Sequence, residues 1–438
     1  METSRIRHSI LLSAGIQLAL GAFTAHPYDG RVFFTVGYSV AHGNSPYVPV
    51  DASGVFGRAL FPEAYPGIGY PPPWSLILAL SYLLSYNLLP NLILYNIAIK
   101  IPIIAGNLLL AVLVGRIVLS DTSNAALAEN ATRFMLFNPY VIYTTAIWGQ
   151  FDTLSALLML FAISEMTRGK RHLSATALGG SIALKLIPIV LLPLMILREK
   201  KYGTCLRALQ YSACVATVLG FSSVPFLFGW SIDPIVENWN VHFVRIGAFS
   251  PMNLLIPFGL ASPANELSFL GYLWLPSLIL IYYLLLRRPA IRSSDLVLSA
   301  LAIVLGVSLT RSWVSEQNLN FVLPLVLLAS TSQGWPRRWV TATWVLPLVF
   351  TLFHSSPLGM LFLVVPQQLI DHVHFQLQSL LPAASLGMLQ LDFGSTARIL
   401  TTVAWIIVGL MLLRKSIRGV GAPSRGGESD SALPNCLK

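Results

Sequence analysis

Six ionisable side chains, Asp29, Asp152, Lys185, Arg245, Arg311 and Glu316, lie at or beside the ends of apolar runs. Charge at membrane depth is costly, and where it is kept it usually serves function. Asp29 follows directly on the first apolar run and lies early in the stretch from His26 to Trp74, the most turn-rich part of the chain. Its carboxylate could accept a proton. It could equally cap the amphipathic stretch RVFFTVGYSVAH behind it. In WGQFD, Gln150 and Asp152 set an amide and a carboxylate beside aromatic rings, a combination that can hydrogen-bond sugar hydroxyls. Asp152 could instead cap a helix beginning at Thr153. Arg311 and Glu316 flank RSWVSEQN, with Gln317 next to the acid. The two could pair, or the guanidinium fork of Arg311 could hold a phosphate. Tyr70 stands in GYPPP, whose prolines impose an extended entry to the helix that follows. His372 and His374 are two residues apart and do not share a helix face, which disfavours a metal pair. Cys205, Cys214 and Cys436 form no metal-spaced pair and no disulfide framework.

The elements that must position these groups are membrane helices. The chain is 55% hydrophobic and 11% charged, with a mean hydropathy of +0.69. A soluble globule carries about 25% charged residues. Apolar runs long enough to span lipid recur from end to end, so the expected fold is an all-α polytopic membrane protein. One membrane domain covers residues 1–418, and a Gly/Ser-rich tail, 419–438, reads as disordered and cytoplasmic. The net charge of +10 sits in short clusters between apolar runs, which reports topology and not a nucleic-acid partner.

Arg5 and Arg7 place the N-terminus inside, and no small-x-small site follows the first run, so it is read as a helix at about 9–25. It delivers a large first outer loop, 26–73, carrying amphipathic helices. Two short helices, about 73–86 and 87–100, then form a shallow hairpin with Lys100 at its outer apex, and a third runs over about 101–118. A helix rises from Arg133 to Tyr143 and ends at WGQFD. The basic clusters at 168–172 and 198–201 both stay inside if two short helices meet near Lys185–Pro188. Further helices fall at about 204–224, 267–286, 296–311, 318–332, 339–353 and 397–413. This gives roughly 11–14 transmembrane helices with both ends inside, and about three quarters of the Lys and Arg residues on that side.

The order of these motifs resembles the GT-C superfamily of membrane glycosyltransferases, which use polyprenyl-phosphate sugars as donors. Asp29, Phe33, Gly43, Ser45-Pro46-Tyr47 and Tyr70-Pro71-Pro72 are spaced as in the first loop of GPI mannosyltransferase I and its prokaryotic relatives. Asn138-Pro139 followed by Trp148–Asp152 resembles a second outer-loop motif of such enzymes. Lys185-Leu186-Ile187-Pro188 with Pro193 is similar to their FK…P…P hairpin. Ser315-Glu316-Gln317 before LNFVLPL resembles the HEK…LLP segment of the dolichyl-linked glucosyltransferases. The resemblance spans about residues 9–330. Two positions depart from it. Pro27 stands where the mannosyltransferase has the first acid of a D-x-D, and Ser315 stands where the glucosyltransferases have histidine. The first leaves Asp29 alone, and since a single acid is enough in many GT-C members it puts metal dependence in doubt: a divalent metal stays possible but unsupported.

The resemblance implies an inverting hexosyl transfer, mannosyl by its strongest motif, at the outer face of a plasma membrane or the lumenal face of the endoplasmic reticulum. Asp29 would be the general base. Arg245, Arg311 and Lys185 would stabilise the donor phosphate, and Tyr70, Gln150, Asp152, Glu316 and Gln317 would bind sugar and acceptor. The partners implied are a polyprenyl-phosphate-sugar donor, a lipid or glycan acceptor and the membrane. The acceptor's identity and the need for a small membrane subunit stay open. A transporter or flippase of lipid-linked or small anionic solutes would also use outer arginines. It would, however, gather its charges near mid-bilayer on broken helices, whereas here they collect at one face.

Overall fold

Apolar helices make up most of the chain. The computed structural model describes residues 3–258, 270–288, 293–380, 384–386 and 389–421. Its first half runs α1 (Thr3–Phe23), α2 (Asp29–Ala41), the one-turn α3 (Ser53–Phe56), α4 (Pro72–Leu84), α5 (Leu92–Thr122), α6 (Ala125–Leu136) and the short α7 (Pro139–Ile142). A π-helical turn, Tyr143–Trp148, leads to α8 (Asp152–Thr167), α9 (Arg171–Leu184), a 3-10 turn at Ile187–Leu191, α10 (Leu192–Tyr202) and α11 (Cys205–Ser222). The second half carries α12 (Asp233–Val244), α13 (Trp274–Leu286), α14 (Ser293–Thr310) and α15 (Val322–Gln333). It ends with α16 (Arg337–His354), α17 (Gln367–Leu380) and α18 (Phe393–Gly419). Strands are confined, among the described residues, to two small pairs. β1 (Gly247–Ala248) lies parallel to β2 (Trp313–Val314), and β3 (Ala384–Leu386) lies antiparallel to β4 (Leu389–Leu391). Residues 259–266 of the second outer interval, part of the basic RRPAIR turn and residues 422–438 of the expected tail lie outside the described residues.

Among the described residues, four segments are long and apolar enough to cross a bilayer alone: Ser4–Phe23, Leu92–Thr122, Cys205–Phe228 and Phe393–Gly419. Pro72–Leu84, Leu270–Leu286 and Asp295–Thr310 are apolar but shorter. Leu11, Leu209, Phe228, Ile279 and Leu400 stand fully out from these segments, the surface expected where lipid and not water is the solvent. The chain is an all-α polytopic integral membrane protein.

Two boundaries differ from the sequence expectation. The predicted break between residues 100 and 101 is absent: one continuous α5 runs through it, held at its start by Asn91, whose side chain accepts from the backbone of Ile93 and Leu94 at 2.9 and 3.1 Å. Pro102 lies inside this helix without ending it. Lys100 is consequently not at an outer apex but buried in the flank of a long helix. The second difference follows from Pro139, which disfavours helical backbone in the residue before it. The helix expected from Arg133 to Tyr143 therefore stops at Leu136, and Asn138 restarts the chain by accepting from Tyr140 and Val141. The hairpin around Lys185 is as expected: Lys185 is extended, and Pro188 and Pro193 each sit in the first turn of the element that follows.

Buried apolar residues form two main bodies. One joins α5, α6, α8, α9, α14 and α15. The other, rich in aromatics, packs α2, α3 and the loop to Trp74 against α4 and the start of α5. Gly37 lets α2 cross α4: a Cβ there would lie 2.7 Å from the Leu78 carbonyl and 1.9 Å from the Tyr95 hydroxyl. Asp29 emerges at the rim of this aromatic body.

Candidate active site

Asp29 is the first residue of α2, and its carboxylate is not a helix cap. Oδ2 instead accepts from Trp148 Nε1 at 2.7 Å and from Gln150 Nε2 at 2.6 Å, residues more than a hundred positions away. Both donors come from the turn that ends the π-helical segment. Gly149 makes that turn with φ +94°, a left-handed conformation that suits glycine. Among the described residues Oδ1 has no hydrogen-bond partner, and it is not buried. One oxygen is therefore fixed and the other is free.

His26 supports this arrangement from behind. Its ring stacks on Trp148, with centroids 4.4 Å apart and planes within 8°. Nδ1 accepts the backbone N–H of Asp29 at 3.1 Å, so the neutral ring carries its proton on Nε2, 3.3 Å from Ser355 Oγ. Burial holds His26 below its ordinary range, against the pull of the Asp29 charge. The His26 N–H also bonds the Trp148 carbonyl at 3.0 Å.

Asp152 begins α8 and is fully buried. Its Oδ1 takes the Lys185 ammonium at 2.7 Å, and the side chain caps no helix, while Oδ2 has no hydrogen bond. Lys185 Nζ also lies 5.5 Å from the centre of the Tyr70 ring and 5.7 Å from that of Phe151. Phe151 stacks on Trp74 at 4.1 Å and meets Tyr70 edge-on at 4.9 Å. Burial, with the Asp29 and Asp152 charges adding to it, holds the Tyr70 hydroxyl well above its usual range, so it remains an O–H donor.

The second half closes the site. Glu316 and Gln317 stand at the start of a 3-10 turn, Glu316–Asn320, and both are buried. Burial pushes Glu316 up to about 7, with the Asp29 charge contributing in the same direction. Its Oε1 is 3.7 Å from His354 Nε2. Its carbonyl accepts from the Tyr140 hydroxyl at 2.6 Å. The β1–β2 pairing brings Arg245 over the Trp313 ring at 3.6 Å. The exposed Arg245 guanidinium lies close enough to feel Asp29 and Tyr28.

Arg311 and Glu316 do not pair. Among the described residues the Arg311 side chain has neither ion pair nor hydrogen bond. It lines a small pocket together with Ile187, Val190, Val304, Val307, Ser308, Val314 and Asn318, against the 3-10 turn that follows Lys185. Four of the predicted site residues each have one buried oxygen without a hydrogen bond: Gln150 Oε1, Asp152 Oδ2, Glu316 Oε1 and Gln317 Oε1. Buried acceptors without donors are uncommon in folded proteins. Among the described residues no group of three or more His, Cys, Asp or Glu side chains is gathered as metal ligands. His26, Trp148 and His354 are site neighbours that the sequence reading did not single out. Only Trp148 carried a signal, as the aromatic of WGQFD.

The fold and the site together define a helical membrane protein holding a half-free carboxylate amid amide, aromatic and basic groups. The chain belongs to glycosyltransferase family 87, whose family model matches residues 69–309. That range includes Tyr70, Gln150, Asp152, Lys185 and Arg245 and leaves Asp29, Arg311 and Glu316 outside it. No curated protein matches. Among solved structures, a crystal structure of ArnT from Cupriavidus metallidurans bound to undecaprenyl phosphate is similar at 16% identity. It covers 96% of this chain and 78% of that chain with a TM-score of 0.47, a likeness too distant to bear on function. The expected membership among membrane glycosyltransferases is met, and the transporter alternative gives way to it.

Proposed function

We propose that this glycosyltransferase is an inverting enzyme that moves a hexose, with mannose the first to test, from a polyprenyl-phosphate donor to an acceptor hydroxyl at the outer face. Residues 26–73 are its catalytic loop. The observation that carries this reading is the asymmetry of Asp29, with Oδ2 held by Trp148 and Gln150 and Oδ1 left free. A base must be fixed in direction yet keep an unused lone pair, and that division provides both. Oδ1 takes the acceptor hydroxyl's proton while the hydroxyl oxygen attacks the anomeric carbon. The bond from that carbon to the phosphate oxygen breaks, and its electron pair leaves with the lipid phosphate. Arg245 and Arg311, with Lys185 behind them, stabilise the charge that develops there. Gln150, Asp152, Glu316 and Gln317 form the sugar and acceptor site, and Tyr70 donates one hydrogen bond.

The test is hexose release from a panel of polyprenyl-phosphate hexoses by the purified full chain, with Asp29→Asn and a chelator arm alongside. In Asp29→Asn the amide oxygen must face the two N–H donors, which puts its NH₂ where the basic lone pair is needed. Turnover should fall by about 10²–10⁴-fold, the worth of a positioned base, and survive chelation in the wild type. Equal turnover in the two proteins would refute the base assignment and turn attention to Asp152 and Glu316. Loss on chelation would make the reaction metal-dependent.

A further inference from the structure

Asn96 and Lys100 stand one turn apart on α5, both buried, and no role above uses them. Asn96 Nδ2 donates to the carbonyls of Gly21, Ala22 and Thr24 at 2.7, 3.1 and 3.0 Å. Lys100 Nζ reaches the carbonyls of Gly21 at 3.1 Å, Ala146 at 2.5 Å and Ile147 at 3.2 Å, and that of Thr24 as well. An ammonium has three N–H donors, so four carbonyls at its head engage all of them.

These carbonyls belong to two helix ends. Gly21 and Ala22 lie in the last turn of α1 with Thr24 just beyond it, and Ala146 and Ile147 lie near the end of the π-helical turn. The last carbonyls of a helix lack intrahelical partners and carry the negative end of its dipole, so a cation between two such ends satisfies both. From the first end the chain runs directly to Asp29; from the second it runs directly to Trp148 and Gln150. The packing leaves little slack. A Cβ on Gly21 would meet Lys100 Cδ and the Ala146 carbonyl, each at 3.1 Å, and one on Gly149 would meet Lys100 Cε at 3.2 Å.

We propose that Lys100 is a positioning residue for the transfer reaction. It pins the helix end that leads to Asp29 against the helix end that leads to its two hydrogen-bond donors, and so sets the direction of the carboxylate. It touches no substrate. The inference rests on Asp29 being the reacting carboxylate, as proposed above.

The experiment is a double-mutant cycle on the full-length enzyme, with Lys100→Met, Gln150→Ala and the combination compared in kcat, donor KM and Tm. Lys100→Met should lower kcat by about 10- to 100-fold, the scale of a misplaced catalytic group, with donor KM within about twofold of wild type. In the Gln150→Ala background the same change should cost less than about threefold, because residues acting on one geometry are not additive. Multiplying losses, or full kcat in a folded Lys100→Met with only Tm reduced, would overturn the proposal and leave Lys100 as scaffold. Should Lys100→Met fail to fold, Gly21→Ala perturbs the same junction through a single methyl and must show the same coupling to Gln150→Ala. The two failures are distinguishable. A fully active Asp29→Asn would sink the base and with it the role of Lys100 in aiming it, whereas multiplying losses in Lys100→Met and Gln150→Ala beside an inactive Asp29→Asn would sink the junction and keep the base.

Discussion

Replacing Gln150 by glutamate tests the contact on which the site depends, because it changes the charge and hardly the shape. The amide nitrogen lies 2.6 Å from Asp29 Oδ2, so Gln150→Glu sets a second carboxylate at hydrogen-bond distance from the first. Two carboxylates so placed cannot both ionise freely and must share a proton. At an effective dielectric of about 20, two unit charges about 4 Å apart repel by about 4 kcal/mol. At about 1.36 kcal/mol per pKa unit, that is about 3 units. The Asp29 side chain is 26% exposed, and solvent screening brings the expected shift to about 1–2 units. The pair then titrates as a unit, and the base becomes available only at higher pH. The acid limb of the kcat/KM profile should accordingly move up by at least one unit. Gln150→Ala removes a hydrogen bond to a charged group, worth about 1.5–3 kcal/mol. That corresponds to about 10- to 100-fold in the plateau, with a much smaller movement of the limb. The assay is initial-rate hexose transfer from pH 5 to 9 at subsaturating donor. An acid limb in Gln150→Glu that coincides with wild type would show that Gln150 does not adjoin the reacting base in the working enzyme.

Two further predictions concern the groups behind the base. Lys185→Met strands the Asp152 carboxylate in a site where both partners are buried, and should cost about 3–5 kcal/mol of stability; adding Asp152→Asn should restore much of the lost Tm. Burial raises Glu316 from 4.5 to about 7, so between those values the folded chain holds a proton that the unfolded chain has released. Stability should therefore fall as pH rises through that window and level off above it. Glu316→Gln should flatten the fall and raise stability at pH 8 by about 3 kcal/mol, which thermal unfolding across pH 4–8 would measure.

Much of the fold was legible because apolar periodicity and basic punctuation are local properties. The Lys185 hairpin illustrates this: two basic clusters and Pro188 sufficed to place a break that the structure has. Pro139 was equally visible, but its consequence depends on neighbours, since Pro102 in a similar apolar setting interrupts nothing. Lys100 was misplaced for a related reason. A cation in an apolar run reads as the end of that run, unless something buried neutralises it. Here the neutralising groups are backbone carbonyls of two other segments, which no side-chain pattern encodes.

The site divides in the same way. Asp29, Gln150, Asp152, Lys185 and Glu316 were each picked out by the Pro, Gly and aromatic residues around them, yet their pairings were not. Asp152 could be read as a cap and Arg311 as the partner of Glu316, whereas Asp152 meets Lys185 and Arg311 lines a small pocket. Only contact between distant segments decides such choices. That dependence has a physical consequence for the reaction. Asp29 arrives with the aromatic body built on α2 and α4, its donors leave a π-helical turn, and Glu316 and Arg245 come from the two segments joined by β1 and β2. None of these units can hold the geometry alone. A substitution that loosens any one junction should therefore show itself in kcat before it shows in donor binding.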